Sequence, residues 1–269
     1  MLPLFELSIL NILLVIFCSY LIGSIPSGII IAKIMGLGNL RSIGSGNIGA
    51  TNVLRTGNKL AAILTLFFDL LKGAIVVLFA RVIFDETAAQ IAGLGSFLGH
   101  CFPLWLKFKG GKGVATFIGI SLALSWPAGI FICLTWVLTA FLSRISSFSA
   151  LISSISSIVW VWIFGMPDAI FVMFILTVLI WWRHTENIKR IINNTEPKIN
   201  NKIQNRFYLN FHSNHRYTYL KAHLQVFSLF QYFLAMRLRS VSHHIRLPQA
   251  SSVRSSLHLI LKVYLMLDQ

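Results

Sequence analysis

Residues 60–84 read LAAILTLFFDLLKGAIVVLFARVIF, an apolar run with the length of a bilayer crossing. A straight helical span needs about 20 residues, within a range of about 17–25. The charged groups inside it are Asp69, Lys72 and Arg81. Asp69 and Lys72 are three apart and share a helical face. Charges at membrane depth are costly, so these two are expected either to pair with each other or to face a polar cleft.

Working outward, further apolar stretches lie at 5–31, 88–106, 114–124, 127–142, 148–164 and 168–182. Trp126-Pro127 separates 114–124 from 127–142, and Gly165-Met166-Pro167-Asp168 separates 148–164 from 168–182. Proline removes an N–H and disfavours helix in its predecessor. Five long helices or seven shorter ones both fit, and loop charge arbitrates. With seven spans and the N-terminus outside, the inward loops collect Lys33, Arg41, Arg55, Lys59, Lys107, Lys109, Lys112, Arg144, Arg183, Lys189, Arg190 and Lys198. The outward loops keep Arg81, beside Asp85 and Glu86. That is the positive-inside pattern, and it selects seven.

Composition agrees: 56% of the 269 residues are hydrophobic and 12% charged, against about 25% charged in a soluble domain. The expected class is an all-α, polytopic integral membrane bundle. The basic residues of the apolar part sit in short gaps between spans, so the net charge of +15 does not by itself indicate a nucleic-acid partner. Cys18, Cys101 and Cys133 are odd in number and lie in or beside apolar runs, which excludes a disulfide framework. The N-terminus lacks a basic n-region and a cleavage signature, and reads as a retained first span.

From about Ile199 the character changes. Residues 199–269 hold nine Lys/Arg, one acidic residue and six of the eight histidines, with no clean membrane-length run. We divide the chain into a membrane domain, 1–198, and a basic extension, 199–269. The extension reads as a disordered tail or as a surface helix on anionic lipid. Its histidines lack metal-ligand spacing, and no metal or cofactor is expected.

The chemistry-bearing residues fall into clusters on the inward face. The first is Gly44-Ser45-Gly46-Asn47-Ile48-Gly49-Ala50-Thr51-Asn52-Val53-Leu54-Arg55, preceded by Ser24-Ile25-Pro26-Ser27-Gly28 in the first apolar stretch. Glycines let backbone N–H groups converge on an anion, and Arg55 adds a forked donor; a flexible turn is the plainer alternative. The second is Lys107-Phe108-Lys109-Gly110-Gly111-Lys112-Gly113-Val114-Ala115-Thr116, a basic turn opening a helix, where amides and macrodipole favour an anion. It departs from a Walker A loop, with Leu106 and Gly113 at discriminating positions, so nucleotide is not the favoured anion.

The third cluster is Ser143-Arg144-Ile145-Ser146-Ser147-Phe148-Ser149, where Arg144 suits phosphate and the serines suit capping. The fourth is Arg183-His184-Thr185-Glu186-Asn187-Ile188-Lys189-Arg190, ending in Glu196. Arg183, His184 and Asn187 share a helical face; Lys189 and Arg190 read as a basic anchor at a helix exit. His100, inside an apolar stretch, is equally a structural or a functional histidine. There is no Gly-x-Ser-x-Gly elbow and no His-x4-Asp. Carboxylates are too scarce for a metal cage.

These motifs resemble the bacterial acyl-phosphate:glycerol-3-phosphate acyltransferases of the PlsY type over about residues 8–198. The resemblance rests on Gly44 to Asn52 with Arg55, followed by Asp69-x-x-Lys72-Gly73; on Gly99-His100 and Lys109 to Thr116; on Ser143-Arg144-x-Ser146-Ser147; and on Arg183-His184-x-x-Asn187-Ile188-x-Arg190. The extension departs from the pattern, and so does Asn194, where glycine is usual before Thr-Glu.

The resemblance implies seven transmembrane helices in the bacterial inner membrane, an outside N-terminus and cytoplasmic motif loops. It implies transfer of a fatty acyl group from acyl phosphate to the 1-hydroxyl of glycerol 3-phosphate, the first acylation of phospholipid synthesis, without acyl-CoA, acyl carrier protein or cofactor. Implied catalytic residues are Ser45, Arg55, His184 and Asn187. Implied substrate-binding residues are Asn47, Thr51, Asn52, Gly110, Gly111, Lys112, Gly113, Arg144 and Arg183, with the Gly110–Gly113 loop on glycerol 3-phosphate. Membrane lipid and the soluble enzyme that makes acyl phosphate are the implied partners. Either a substrate phosphate or His184 takes the hydroxyl proton. A transporter of a phosphorylated solute is the competing function, and a membrane anchor using the basic extension is a third.

Overall fold

The computed structural model describes residues 7–199, and every regular element among them is helical. The expectations for residues 200–269 lie outside the described residues. Helix α1 (Ile9–Gly23) starts where Ser8 Oγ accepts from the Asn11 N–H at 3.2 Å. Pro26 interrupts the first apolar stretch, and α2 (Ser27–Ile34) resumes after it. A glycine-rich loop and the short α3 (Ala50–Leu54) lead to α4 (Lys59–Ile83), capped by Asn58 Oδ1 on the Ala61 N–H at 3.0 Å. Asp85 caps α5 (Glu86–Cys101) through the Ala88 N–H at 2.7 Å. Helices α6 (Val114–Leu124), α7 (Trp126–Ser143), α8 (Ser146–Ile163), α9 (Ile170–Arg183) and α10 (Thr185–Ile192) complete the order.

Both proline breaks are reversals. A straight helix separates residues seven apart by about 10.5 Å, yet a Cβ placed on Gly129 would lie 2.5 Å from the Leu122 Cα. Helix α7 therefore folds back on α6. Thr177 Oγ1 donates to Ser154 O at 2.8 Å, where a continuous helix would part these residues by about 35 Å. Helix α9 runs back along α8, so the merged helices of a five-helix arrangement do not form. Ile9–Ile34, α4, α7 and α8 are each long and apolar enough to cross a bilayer. The unit Pro167–Arg183, bent by 62° from α10, passes only when the two are taken together. Helix α6 has 11 residues and is too short to span straight.

Small residues let these helices approach closely, as bilayer packing requires where lipid is as apolar as the core. A methyl on Gly119 would overlap the Leu70 carbonyl of α4, and one on Gly99 the Tyr20 carbonyl of α1. The core gathers Phe97, Phe117, Ile120, Ile132, Met173, Leu176 and Ile180. Large side chains on the opposite faces, such as Phe79, Val82 and Phe141, are exposed, as lipid-facing positions are. Buried hydroxyls bond back to their own helices, for example Thr65 Oγ1 to Ala61 O and Ser121 Oγ to Phe117 O, each at 2.8 Å.

Arg81 pairs with one of its two acidic neighbours. Its Nε and Nη2 hold Glu86 at 2.6 and 2.8 Å. Its Nη1 and Nη2 also close the C-terminus of α6 on the carbonyls of Ala123 and Leu124. The buried pair of α4 is likewise formed: Lys72 Nζ lies 2.8 Å from Asp69 Oδ1.

Candidate active site

The four motif clusters, far apart in sequence, are stitched together by hydrogen bonds. Arg41 bonds Gly46 O of its own loop at 3.2 Å and also the Lys109 carbonyl, joining the first cluster to the second. Thr51 Oγ1 meets Ser146 Oγ at 3.2 Å, joining the first to the third. Ser147 Oγ donates to Glu196 Oε1 at 2.7 Å, joining the third to the fourth. Arg183 Nε and Nη2 donate to Gly111 O and Gly110 O at 3.1 and 3.3 Å, and Lys112 Nζ to Asn187 Oδ1, joining the fourth to the second.

The first loop is organised by Asn52, which is 2% exposed. Its Nδ2 donates to Leu40 O at 3.0 Å and Asn47 O at 2.7 Å. Its Oδ1 accepts from the Ser45 N–H at 3.1 Å, the Ser45 hydroxyl at 3.4 Å and Arg55 Nη1 at 3.4 Å. Its polar atoms are thereby occupied by the loop itself. Gly44 has φ +51°, and a Cβ there would meet Arg55 Nη1 at 2.6 Å, so glycine lets the guanidinium lie against the backbone. Ser45 and Thr51 are exposed at the mouth, and Asn47 is half-buried beside them.

In the second loop the two glycine amides turn inward. Gly110 N–H goes to Cys101 O at 3.1 Å and Gly111 N–H to His100 O at 3.0 Å. Their carbonyls face Arg183, whose guanidinium also lies 5.1 Å over the Phe102 ring. Gly113 has φ +82°, which favours glycine, and it starts α6. The amides of Lys112 and Gly113 have no acceptor among the described residues. The anion-ready donors of this loop are thus Lys112, Gly113 and the first turn of α6, with Gly110 and Gly111 serving through their carbonyls.

The fourth cluster turns at Asn194, whose φ of +56° is the left-handed value that glycine or asparagine adopts after a helix. Asparagine tolerates this value better than other side-chain-bearing residues. The turn returns Glu196 to α10, where it accepts from Asn187 Nδ2 at 2.5 Å and Arg190 Nε at 2.6 Å. Arg190, read from the sequence as an anchor, faces the site through Glu196. Lys189 stays exposed with Glu186. Arg144 has an exposed side chain, and its carbonyl accepts from the Ile199 N–H at 2.7 Å.

Arg41 and Glu196 were not among the sequence-selected site residues. Arg41 stood as one more inward-loop charge, although it immediately precedes the glycine run. Glu196 had a usable signal: with Glu186 it supplies the inward clusters' only carboxylates.

The site has a cationic excess. Burial, and next Arg190, lower the pKa of Lys112 to about 8. Burial lowers that of Arg55, opposed by Glu196, and burial and the neighbouring Arg183 lower that of Arg41. A bound anion would relieve all three. His184, between α9 and α10, is 3% exposed. Its Nδ1 faces Ile180 O at 2.8 Å, and burial lowers its pKa to about 4. The ring is neutral at pH 7, with Nδ1–H donating and Nε2 left as an acceptor.

The sequence matches the family model described as glycerol-3-phosphate acyltransferase over residues 13–194. It is 58% identical to the glycerol-3-phosphate acyltransferase of Roseobacter denitrificans over 183 residues, covering 68% of this chain and 92% of the relative. With that of Cereibacter sphaeroides it shares 55% over 200 residues, covering 74% and 95%. The fold superimposes on the crystal structure of PlsY, an integral membrane glycerol 3-phosphate acyltransferase. For the glycerol 3-phosphate form the TM-score is 0.68 and identity 37%, covering 73% of this chain and 98% of that one. For the lysophosphatidic acid form the TM-score is 0.65, covering 70% and 94%. The chain therefore belongs to the glycerol-3-phosphate acyltransferase family, as a multi-pass membrane enzyme of the PlsY type.

Proposed function

We propose that this enzyme uses acyl phosphate as donor. It forms the ester bond from the 1-hydroxyl of glycerol 3-phosphate to the acyl carbon and releases inorganic phosphate, which departs with the electron pair of the broken C–O bond. The observation that carries this reading is the convergence of the clusters into one cationic face with a single carboxylate at its centre, Glu196. A reaction between two phosphate-bearing substrates needs two neighbouring anion pockets, and the convergence brings cationic and hydrogen-bonding groups from the clusters to one face, which supports this reading.

Lys112, Arg183 and the free amides of the second loop suit glycerol 3-phosphate, the substrate in the form of PlsY to which this fold is similar. Ser45, Asn47, Thr51 and Arg55 suit the acyl phosphate, with Asn52 holding their loop in shape. An acyl phosphate is an activated anhydride, so positioning and charge stabilisation carry most of the catalysis. His184, with a pKa near 4, is a weak base. A phosphate oxygen of the substrate is the better acceptor for the hydroxyl proton, while His184 and Asn187 hold the alcohol in line. The chain crosses the bacterial inner membrane seven times, with the clusters on the cytoplasmic side where soluble glycerol 3-phosphate meets the acyl chain. Purified enzyme given acyl phosphate and glycerol 3-phosphate should yield 1-acyl-glycerol 3-phosphate and phosphate in equal amounts without acyl-CoA. A strict requirement for acyl-CoA or acyl carrier protein overturns the donor assignment.

A further inference from the structure

Beneath the second loop lies a polar group that the reaction above does not use. Asp69 and Lys72 of α4 and His100 of α5 are 3%, 6% and 5% exposed. Lys72 Nζ sits 2.8 Å from Asp69 Oδ1, and His100 Nδ1 faces the same oxygen at 3.6 Å, beyond hydrogen-bond reach. His100 Nδ1 makes no hydrogen bond among the described residues. Simple stability does not explain such a trio, because well-packed apolar residues at membrane depth carry no desolvation cost.

The surroundings of the trio do explain it. The carbonyl of His100 receives the Gly111 N–H at 3.0 Å, and that of Cys101 receives Gly110. A methyl on Gly111 would overlap the imidazole at Nε2, so the ring lies directly against the Gly111 Cα. The same two glycines present their carbonyls to Arg183. On its other side Lys72 donates to Ile25 O at 2.9 Å, a carbonyl at the α1–α2 break. Helix α2 in turn packs Gly28 against the Ile48 carbonyl of the first loop. One buried group thus touches the support of both loops.

We propose that Asp69, Lys72 and His100 are positioning residues: they fix the Gly110–Gly111 peptide units, and through them Arg183, at the spacing that glycerol 3-phosphate requires. The inference rests on the assignment of that substrate to the second loop. None of the three touches substrate. Their effect is on binding geometry, where shifts of about 1 Å cost on the order of a hundredfold.

The test is a double-mutant cycle in the full-length enzyme, combining His100→Asn with Arg183→Gln. His100→Asn should raise the KM for glycerol 3-phosphate at least tenfold. Its kcat and its KM for acyl phosphate should stay within threefold of wild type. Combined with Arg183→Gln, it should add less than a further threefold, because both act through one contact. Independent multiplication of the two effects, with Arg183→Gln itself raising KM, overturns the positioning role and leaves the substrate assignment standing. An unchanged KM in Arg183→Gln overturns the assignment and this inference together. Should His100→Asn fail to accumulate, Gly111→Ala loads the same contact from the loop side. It should give the same selective rise in KM, and a wild-type KM there refutes the proposal.

Discussion

Lys112→Met removes the cation at the junction of the second and fourth clusters while keeping an unbranched side chain one atom shorter. In the free enzyme the ammonium bonds Asn187 Oδ1 and lies among Arg55, Arg183 and Arg190, with Glu196 the opposing charge. A hydrogen bond to a charged group contributes about 1.5–3 kcal/mol. Its loss to a substrate phosphate therefore raises the KM for glycerol 3-phosphate by about 10- to 150-fold, at about 1.4 kcal/mol per decade. The pKa of about 8 gives a second signature. Above it the lysine is neutral, whereas a phosphate monoester, with a second pKa of about 6, keeps its charge. Wild-type kcat/KM for glycerol 3-phosphate should fall about tenfold between pH 7 and pH 9, since this ratio reports the free enzyme. In Lys112→Met that fall should vanish. Steady-state kinetics in detergent or nanodiscs at fixed saturating acyl phosphate measures both. A variant with wild-type KM, or one that retains the alkaline fall, refutes the placement of phosphate on Lys112.

Other outcomes follow from the same geometry. Arg55→Ala should lower kcat/KM for acyl phosphate by at least tenfold with a smaller effect on glycerol 3-phosphate, measured by varying each substrate separately. Asn52→Leu strips the buried partners of Leu40 O, Asn47 O and the Ser45 N–H. At about 1–3 kcal/mol for each group left unsatisfied, it should lower the Tm and abolish most activity. His184 is neutral above a pKa near 4, so kcat should be flat through the usual histidine range and remain flat in His184→Gln, checked by pH–rate profiles. An essential group near pH 6.5 that disappears in the variant would make His184 the base. Ending the chain after Ile199 keeps the bond to Arg144 O and should leave activity within twofold in the same assay.

Helix positions were legible because apolar runs and prolines act locally. The stretch 60–84 became Lys59–Ile83, 127–142 became Trp126–Ser143, and 114–124 is Val114–Leu124. The stretch 88–106 stops early, at Cys101, because Phe102-Pro103 opens a turn that carries Trp105 back to Ser24 O at 2.8 Å. The first stretch divides at Pro26, where the proline signal was present within an otherwise apolar run. Motif glycines and cations marked the site, yet their division of labour did not show in the sequence. Asn47 and Asn52 look alike on paper; only the folded loop buries Asn52 and occupies its polar atoms. The inward turn of the Gly110 and Gly111 amides, Arg190 on Glu196 and Arg41 on Lys109 O all depend on partners that sequence spacing does not bring together. Asp69 and Lys72 were legible as a helical pair, but His100 joins them from another helix.

Acyl transfer between the two substrates requires the first and second loops to lie side by side at one membrane face. In a cysteine-free background, Ser45→Cys and Lys109→Cys, both exposed positions, can be labelled in sealed vesicles of known orientation with a membrane-impermeant thiol reagent. Both should react from the cytoplasmic side only, and glycerol 3-phosphate should slow labelling at Lys109→Cys. Reaction of the two positions from opposite sides of the bilayer would contradict the account.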